Sequence, residues 1–298
     1  MTIPTIIETF RTTINLRLFS VYLALTLIIP AITILVEYLI TTDPSFRTSL
    51  QVNLQNFHIY QLFTSSFVHL NFDHFVGNVT AYLIIIIYGL LLATALNRKR
   101  LYLALTKVIV VAFILFGAVF ALLNMTTMVY AGLSGIDAAL AGLLFLFWLM
   151  YLEKISQKSR NEYYGVVLAG VLLLCAGLTA RFISLYHGAR TQVLFEMLVV
   201  ITVIFILSVL LYRHQFVTTY HALMKFSWSS RILTFAIILV FAYFIWNVFP
   251  ERLGSSIRGV SISLHLGGIM LGIVVGYLVI GYLDRIAYFH DEKEIVSG

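Results

Sequence analysis

Ala131-Gly132-Leu133-Ser134-Gly135-Ile136-Asp137-Ala138-Ala139-Leu140-Ala141-Gly142 opens an apolar run that continues to about Leu152. Ser134 sits in the first turn of that run, between Gly132 and Gly135. Ala138, Ala141 and Gly142 follow at helical spacing, so the helix face that carries the serine is nearly bare of side chains. A bare face lets a second helix come close. Ser134 is then either packing glue or a nucleophile that needs a base from the partner helix. The segment is not the nucleophile elbow of soluble hydrolases. That motif reads G-x-S-x-G after a strand, whereas here a glycine follows the serine directly.

Composition says which solvent surrounds this helix. The chain has 298 residues, 61% of them hydrophobic and 11% charged, with a mean hydropathy of +0.98. That is the composition of a membrane protein and excludes an ordinary soluble globule. The formal charge of +6 needs no nucleic-acid partner, because basic residues retained on the cytoplasmic side account for it. The single cysteine, Cys175, excludes an intrachain disulfide and most thiolate metal sites. It lies within an apolar run and reads as a small buried hydrophobe. No metal or cofactor is expected. Arg11 and Arg17 precede the apolar run Leu18–Ile40. That run is longer than a signal-peptide core and lacks a small-x-small cleavage site, so it reads as a retained first span. Residues 1–298 are expected to form one integral membrane domain.

A bilayer core takes about 20 apolar residues per helix. Eight stretches qualify: Leu18–Ile40, His74–Leu96, Leu101–Leu123, Gly132–Leu152, Tyr163–Ile183, Thr191–Leu211, Ile232–Phe249 and Val260–Leu283. The expected fold is therefore an all-α polytopic membrane bundle of about 8 transmembrane helices. Pro30 should kink the first. With both termini inside, the outer loops hold only Arg47, Arg181, Arg190, Arg252 and Arg258 of the 19 Lys and Arg residues. The asymmetry supports that orientation and predicts a multi-pass protein of the cell membrane. Ser134, His74 and His265 then all lie near outer helix ends. The first outer loop, Thr41 to Asp73, carries Phe46, Phe57, Tyr60, Phe63 and Phe67. It either lies along the bilayer interface through these aromatics or is a plain loop.

Two further segments carry polar groups at membrane depth, where such groups are expensive and face a protein interior or a wet cavity. The second span begins His69-Leu70-Asn71-Phe72-Asp73-His74-Phe75-Val76-Gly77-Asn78. His74 and Asn78 are four apart and share a face. The last span reads His265-Leu266-Gly267-Gly268-Ile269-Met270-Leu271-Gly272-Ile273-Val274-Val275-Gly276. Gly268, Gly272 and Gly276 make a small-x-x-x-small stripe headed by His265. Two bare faces, Ala138/Ala141/Gly142 and Gly268/Gly272/Gly276, can meet, which brings Ser134 Oγ within hydrogen-bond reach of His265. Structural interhelical hydrogen bonds remain the plainer reading of each residue taken alone.

The set Gly132-x-Ser134-Gly135, His74-x-x-x-Asn78 with His69 upstream, and His265-x-x-Gly268-x-x-x-Gly272, in this chain order, resembles the rhomboid intramembrane serine proteases. The resemblance covers roughly Phe57 to Leu283 less an insertion. It implies a Ser–His dyad without a carboxylate, with Ser134 as nucleophile and His265 as general base. It also implies an oxyanion hole from His74, Asn78 and backbone N–H groups around Leu133 and Ser134. The implied partners are transmembrane protein substrates and the lipid bilayer, and the active site faces the outer side. The chain departs from the family at three places. Ala138 replaces the aromatic residue that often stacks on the catalytic histidine. Tyr60-Gln61 stands where a Trp-Arg pair is usual. One extra helical hairpin, most simply Tyr163–Leu211, is added to the six-helix rhomboid core.

The chemistry this predicts is acyl transfer from a peptide bond to water. A serine hydroxyl needs an adjacent base, and a neutral imidazole can take its proton and return it to the leaving amine. Ile232–Phe249, with the first outer loop, is the expected gate. Asp137, a turn below Ser134, is expected to make a structural hydrogen bond rather than complete a triad. Two other classes stay open: an inactive relative that binds membrane clients, and a transporter using His74, Asn78 and His265 as a polar path. A transporter would more often show paired inverted halves, which the sequence lacks.

Overall fold

The computed structural model describes residues 16–53, 56–69, 71–124, 129–130, 132–156, 176, 189–248, 265 and 267–282. Helix makes up 88% of them, which establishes the mostly helical class. Helix α1 runs Leu16–Thr42 and passes through Pro30 without a break. A short α2, Ser45–Leu50, follows. The strand β1, Val52–Asn53, precedes α3, Gln61–Thr64, which tightens into a 3-10 turn over Ser65–Phe67. Then come α4, Phe72–Ala95, α5, Lys99–Asn124, and β2, Val129–Tyr130. The rest is α6, Ser134–Ser156, α7, Ala189–Leu211, α8, Arg213–Met224, α9, Trp228–Val248, and α10, Gly267–Tyr282.

Among the described residues, three helices are long and apolar enough to cross a membrane: Phe72–Ala95, Ser134–Ile155 and Trp228–Ile245. Shorter apolar helices cover Thr26–Thr42, Leu198–Leu211 and Gly267–Tyr282. The predicted spans Leu18–Ile40, Leu101–Leu123, Thr191–Leu211 and Val260–Leu283 thus coincide with helix wherever they are described. Tyr163–Ile183, Ala176 apart, lies outside the described residues, as does Cys175.

The helix α6 is the axis of the molecule and packs against α4, α5 and α9. Leu133, Ile136, Leu140, Leu143, Leu144 and Phe147 along it are buried. On the α5 side, Gly135 faces the Phe113 ring, and Phe147 meets Tyr102 edge-on with ring centres 5.0 Å apart. Gly89 of α4 leaves room for the same Tyr102 ring. These contacts run α5 antiparallel to α6 and hold α4, α5 and α6 as one slab.

The first loop is a folded unit, which neither sequence expectation described. Gln61, 2% exposed, is its pin. Its Oε1 accepts from the backbone N–H of His58 (3.1 Å) and Asn53 (3.4 Å), while its Nε2 donates to the Ser49 carbonyl (3.1 Å). Thr64 Oγ1 donates to the Leu50 carbonyl at 2.6 Å. Arg47 pairs with Glu37 of α1 at 3.5 Å. The unit joins the approach to Ser134 because β1 pairs antiparallel with β2, Val52 opposite Tyr130 and Asn53 opposite Val129. Of the five aromatics expected to face outward, Phe46, Phe57, Tyr60 and Phe63 are exposed, whereas Phe67 packs against the core.

Candidate active site

Asn71 fixes the start of α4. Its Oδ1 accepts the His74 backbone N–H at 2.8 Å, the usual side-chain satisfaction of an orphan donor at a helix start. His74 therefore occupies the first turn, and Asn78 follows on the same face, fully buried. Asn78 Nδ2 meets His74 Nε2 at 3.1 Å. With Nε2 accepting, the ring proton resides on Nδ1, a buried atom with no hydrogen-bond partner among the described residues. The amide nitrogen has a second hydrogen to give. The pair thus holds donors that the fold does not consume.

Those donors sit beside the serine. Gly132 adopts φ +128°, a backbone state that side chains disfavour. Its N–H donates to the Ser65 carbonyl at 2.9 Å. A Cβ added at Gly132 would stand 3.3 Å from His74 Cε1, 3.5 Å from Ser134 Oγ and 3.8 Å from Asn78 Nδ2. The serine hydroxyl, the imidazole and the amide therefore converge on one methyl-sized space in front of the Gly132 backbone. Ser134 is the first residue of α6, where N–H groups have no carbonyl a turn earlier and the helix dipole favours negative charge. Ile136 and Asp137 donate their N–H groups to the Leu133 carbonyl, the first bonds of the helix.

The fourth residue arrives by helix register. The helices α6 and α10 run parallel in close contact. A Cβ at Gly268 would stand 2.8 Å from the Gly135 carbonyl oxygen and 3.0 Å from Ala138 Cβ. One at Gly272 would overlap the Ala139 carbonyl, and one at Gly142 the Ile269 carbonyl. Gly276 continues the seam against Leu143 and Leu146. Carrying this register back one turn from Gly268 places His265 level with Ser134. His265 is 1% exposed. The two bare faces read from the sequence do meet. Ala138 is small enough to permit this approach, its Cβ lying 3.0 Å from where a Cβ at Gly268 would stand.

His69 lies against this group, its ring edge-on to His74 with centres 5.4 Å apart. It is fully buried. Burial, helped by the neighbouring His74, pushes its pKa down to about 3, so it stays neutral. Asp137 departs from expectation. It is wholly buried near Tyr82, and neither carboxylate oxygen has a hydrogen-bond partner among the described residues. The structural hydrogen bond foreseen for it is therefore not present there.

Sequence reasoning missed two contributors. Ser65 acts through its main-chain carbonyl, which no residue type signals. The strand pairing of β1 with β2 involves too few residues to leave a periodicity. No family model, curated protein or solved structure matches this chain.

Proposed function

We propose that this chain is an intramembrane serine endopeptidase of rhomboid type that cleaves peptide bonds in or next to transmembrane segments of membrane protein substrates. The observation that carries the reading is the convergence of Ser134 Oγ, His74 and Asn78 on Gly132, with His265 brought level by the α6–α10 glycine seam. A buried serine beside unspent donors, at a helix start, next to a buried imidazole, is an arrangement suited to acyl transfer. Packing alone would spend those donors on neighbours.

His265 takes the Ser134 proton as Oγ attacks the scissile carbonyl carbon. The oxyanion is received by N–H groups at the start of α6, by Asn78 Nδ2 and by His74. The C–N bond then breaks as His265 returns the proton to the leaving amine. Water, deprotonated by the same histidine, releases the acyl group from Oγ. One oxyanion donor in a site shielded from water contributes about 3 kcal/mol to the transition state. A helical substrate must unwind locally first, because its carbonyls are hydrogen-bonded. The helix α9 is suited to admit it. Near its start it is tethered by Trp148 Nε1 donating to the Thr234 carbonyl at 3.0 Å and by Tyr88 Oη donating to that of Leu233. Most of its apolar surface is uncovered, and beyond that tether only a narrow stripe with Ile237, Val240 and Phe244 is buried, so few contacts part when it moves aside. In this reading the chain has a rhomboid-like six-helix core plus a hairpin, both termini cytoplasmic, and the site opening outward at the cell membrane.

The test is labelling of the detergent-solubilised protein by a fluorophosphonate, which reacts with activated serines. Labelling of the wild type and its loss in Ser134→Ala are expected. Equal labelling of both proteins, or none of a folded wild type, would overturn the reading in favour of a client-binding relative.

A further inference from the structure

The helix α8 packs against α6, α7 and α9; the start of α9 that follows it is hydrogen-bonded to Trp148, fourteen residues along α6 from Ser134, so α8 takes no part in the candidate site. Its sequence is Arg213-His214-Gln215-Phe216-Val217-Thr218-Thr219-Tyr220-His221-Ala222-Leu223-Met224. Val217, Tyr220 and Met224 fall on one face at three- and four-residue spacing, and are 52%, 52% and 37% exposed. A neighbouring stripe carries His214, His221 and Lys225, all exposed. From Tyr212 to Arg231 the chain holds three permanent cations and two histidines and no carboxylate.

Exposed apolar residues recur directly after the helix: Trp228 is 69% exposed, and Ile232, Phe235 and Leu239 of α9 are 51%, 46% and 73% exposed. α9 is one of the three helices able to cross a membrane, and hydrocarbon is the environment that such a face requires. α8 packs against α9 and immediately precedes it, so its exposed apolar stripe lies where the chain enters that same environment. At the point where the chain leaves the span, the residues beside that stripe turn cationic without any acidic counterpart.

We propose that α8 is an interfacial helix that binds anionic phospholipid headgroups. Its Val217/Tyr220/Met224 stripe sinks into the headgroup–acyl boundary. Its His214, His221 and Lys225 side chains stay among the phosphates, and Arg213, which falls on the apolar stripe four residues before Val217, reaches up to them along its flexible stem. An amphipathic helix of this kind rests about 5–10 Å into that boundary, and basic residues near an anionic surface each strengthen binding about fivefold. The inference is independent of the protease reading and of which leaflet α8 meets.

The test uses the full chain with Cys175→Ala, carrying a nitroxide at Val217→Cys or at His221→Cys. It is reconstituted into phosphatidylcholine vesicles with or without phosphatidylglycerol. The expected result is relaxation of the Val217→Cys label by oxygen and of the His221→Cys label by a water-soluble nickel chelate. Selectivity of the protein for spin-labelled phosphatidylglycerol over phosphatidylcholine is then measured at low salt. It should fall about fivefold for each of Arg213→Gln and Lys225→Gln, both exposed positions at which the fold has little at stake. A water-exposed label at Val217→Cys would overturn the proposal. So would unchanged lipid selectivity in the double variant, or strong spin–spin broadening at Val217→Cys, which would make the stripe a contact between copies of the chain.

Discussion

The most apolar stretch of α6 has a mean hydropathy of 1.9 and that of α9 1.8, yet 83% of the first is buried inside the molecule and only 22% of the second. Hydropathy therefore says that both helices avoid water and nothing about what each touches instead. The difference comes from the small residues. α6 brings Gly135, Ala138, Ala139 and Gly142 to its neighbours, and α10 answers with Gly268 and Gly272. Main chains then come close enough for side chains at one level to share a site. α9 carries Ile232, Phe235, Ile238 and Leu239 outward and buries only a narrow stripe with Ile237, Val240 and Phe244, and its hydrogen bonds to Tyr88 and Trp148 lie near one end. In a bilayer, apolar area alone does not drive helices together, because lipid is as good a partner as leucine. Close packing and interhelical hydrogen bonds decide, and the candidate site lies where the packing is closest.

The most severe way to break the comparison is to fill the seam. Gly272→Leu places its Cβ onto the Ala139 carbonyl, a backbone atom that cannot step aside. Overpacking costs 1–3 kcal/mol where side chains can adjust, so more than about 3 kcal/mol is expected here. Gly281→Leu on the same helix is the control, since nothing stands within 4 Å of its Cβ position. Unfolding titrations in mixed micelles should separate the two. Equal stability would mean that the seam does not hold α10.

A smaller effect comes from pH. His69 has its pKa lowered to about 3 in the fold, against ~6.5 when unfolded. Above pH 6.5 both states are neutral and the neutral ring contributes its full share to stability. As pH falls towards 3, the unfolded chain binds the proton that the fold refuses. Stability should drop by about 1.4 kcal/mol per pH unit across that window. Unfolding measured between pH 7.5 and 4.5 should show this component in the wild type and not in His69→Phe. A pH dependence identical in both proteins would show that the ring is solvated.

The smallest effect is expected on the open helix. Leu239 is 73% exposed on α9. Leu239→Ala should change stability in micelles by no more than about 0.5 kcal/mol. A loss of several kcal/mol would show that a protein surface covers that face and would erase the contrast with α6.

Much of the fold was legible because its signals are periodic. Long apolar runs locate α1, α4, α6 and α9, and glycine spacing foretells which faces of α6 and α10 meet. Their register comes from the packing itself, Gly268 against Gly135 and Ala138 and Gly272 against Ala139, and the pairing of Ser134 with His265 is an expectation that the repeat alone does not fix. His74 and Asn78 were legible as polar residues one turn apart. What escaped has no periodicity. The Ser65 carbonyl that holds Gly132 is main chain, and any residue type could supply it. Gln61 reads as an ordinary loop glutamine until its hydrogen bonds to Ser49, Asn53 and His58 are seen. Asp137 was misjudged for the opposite reason. Spacing gives its direction along the helix, but whether a partner waits there depends on the neighbouring helices.

Ser134 and His265 are proposed to act as one device, and a double-mutant cycle shows whether they do. Cleavage of a reporter transmembrane substrate in liposomes would be measured for Ser134→Ala, His265→Ala, the double variant and Asn78→Ala. Because a base is useless without its nucleophile, the first three should share one floor of activity. Asn78→Ala removes one donor among several and should lose roughly 10²- to 10³-fold. Substantial turnover by Ser134→Ala, or separate and additive losses at Ser134 and His265, would contradict the account and leave the two residues as packing elements.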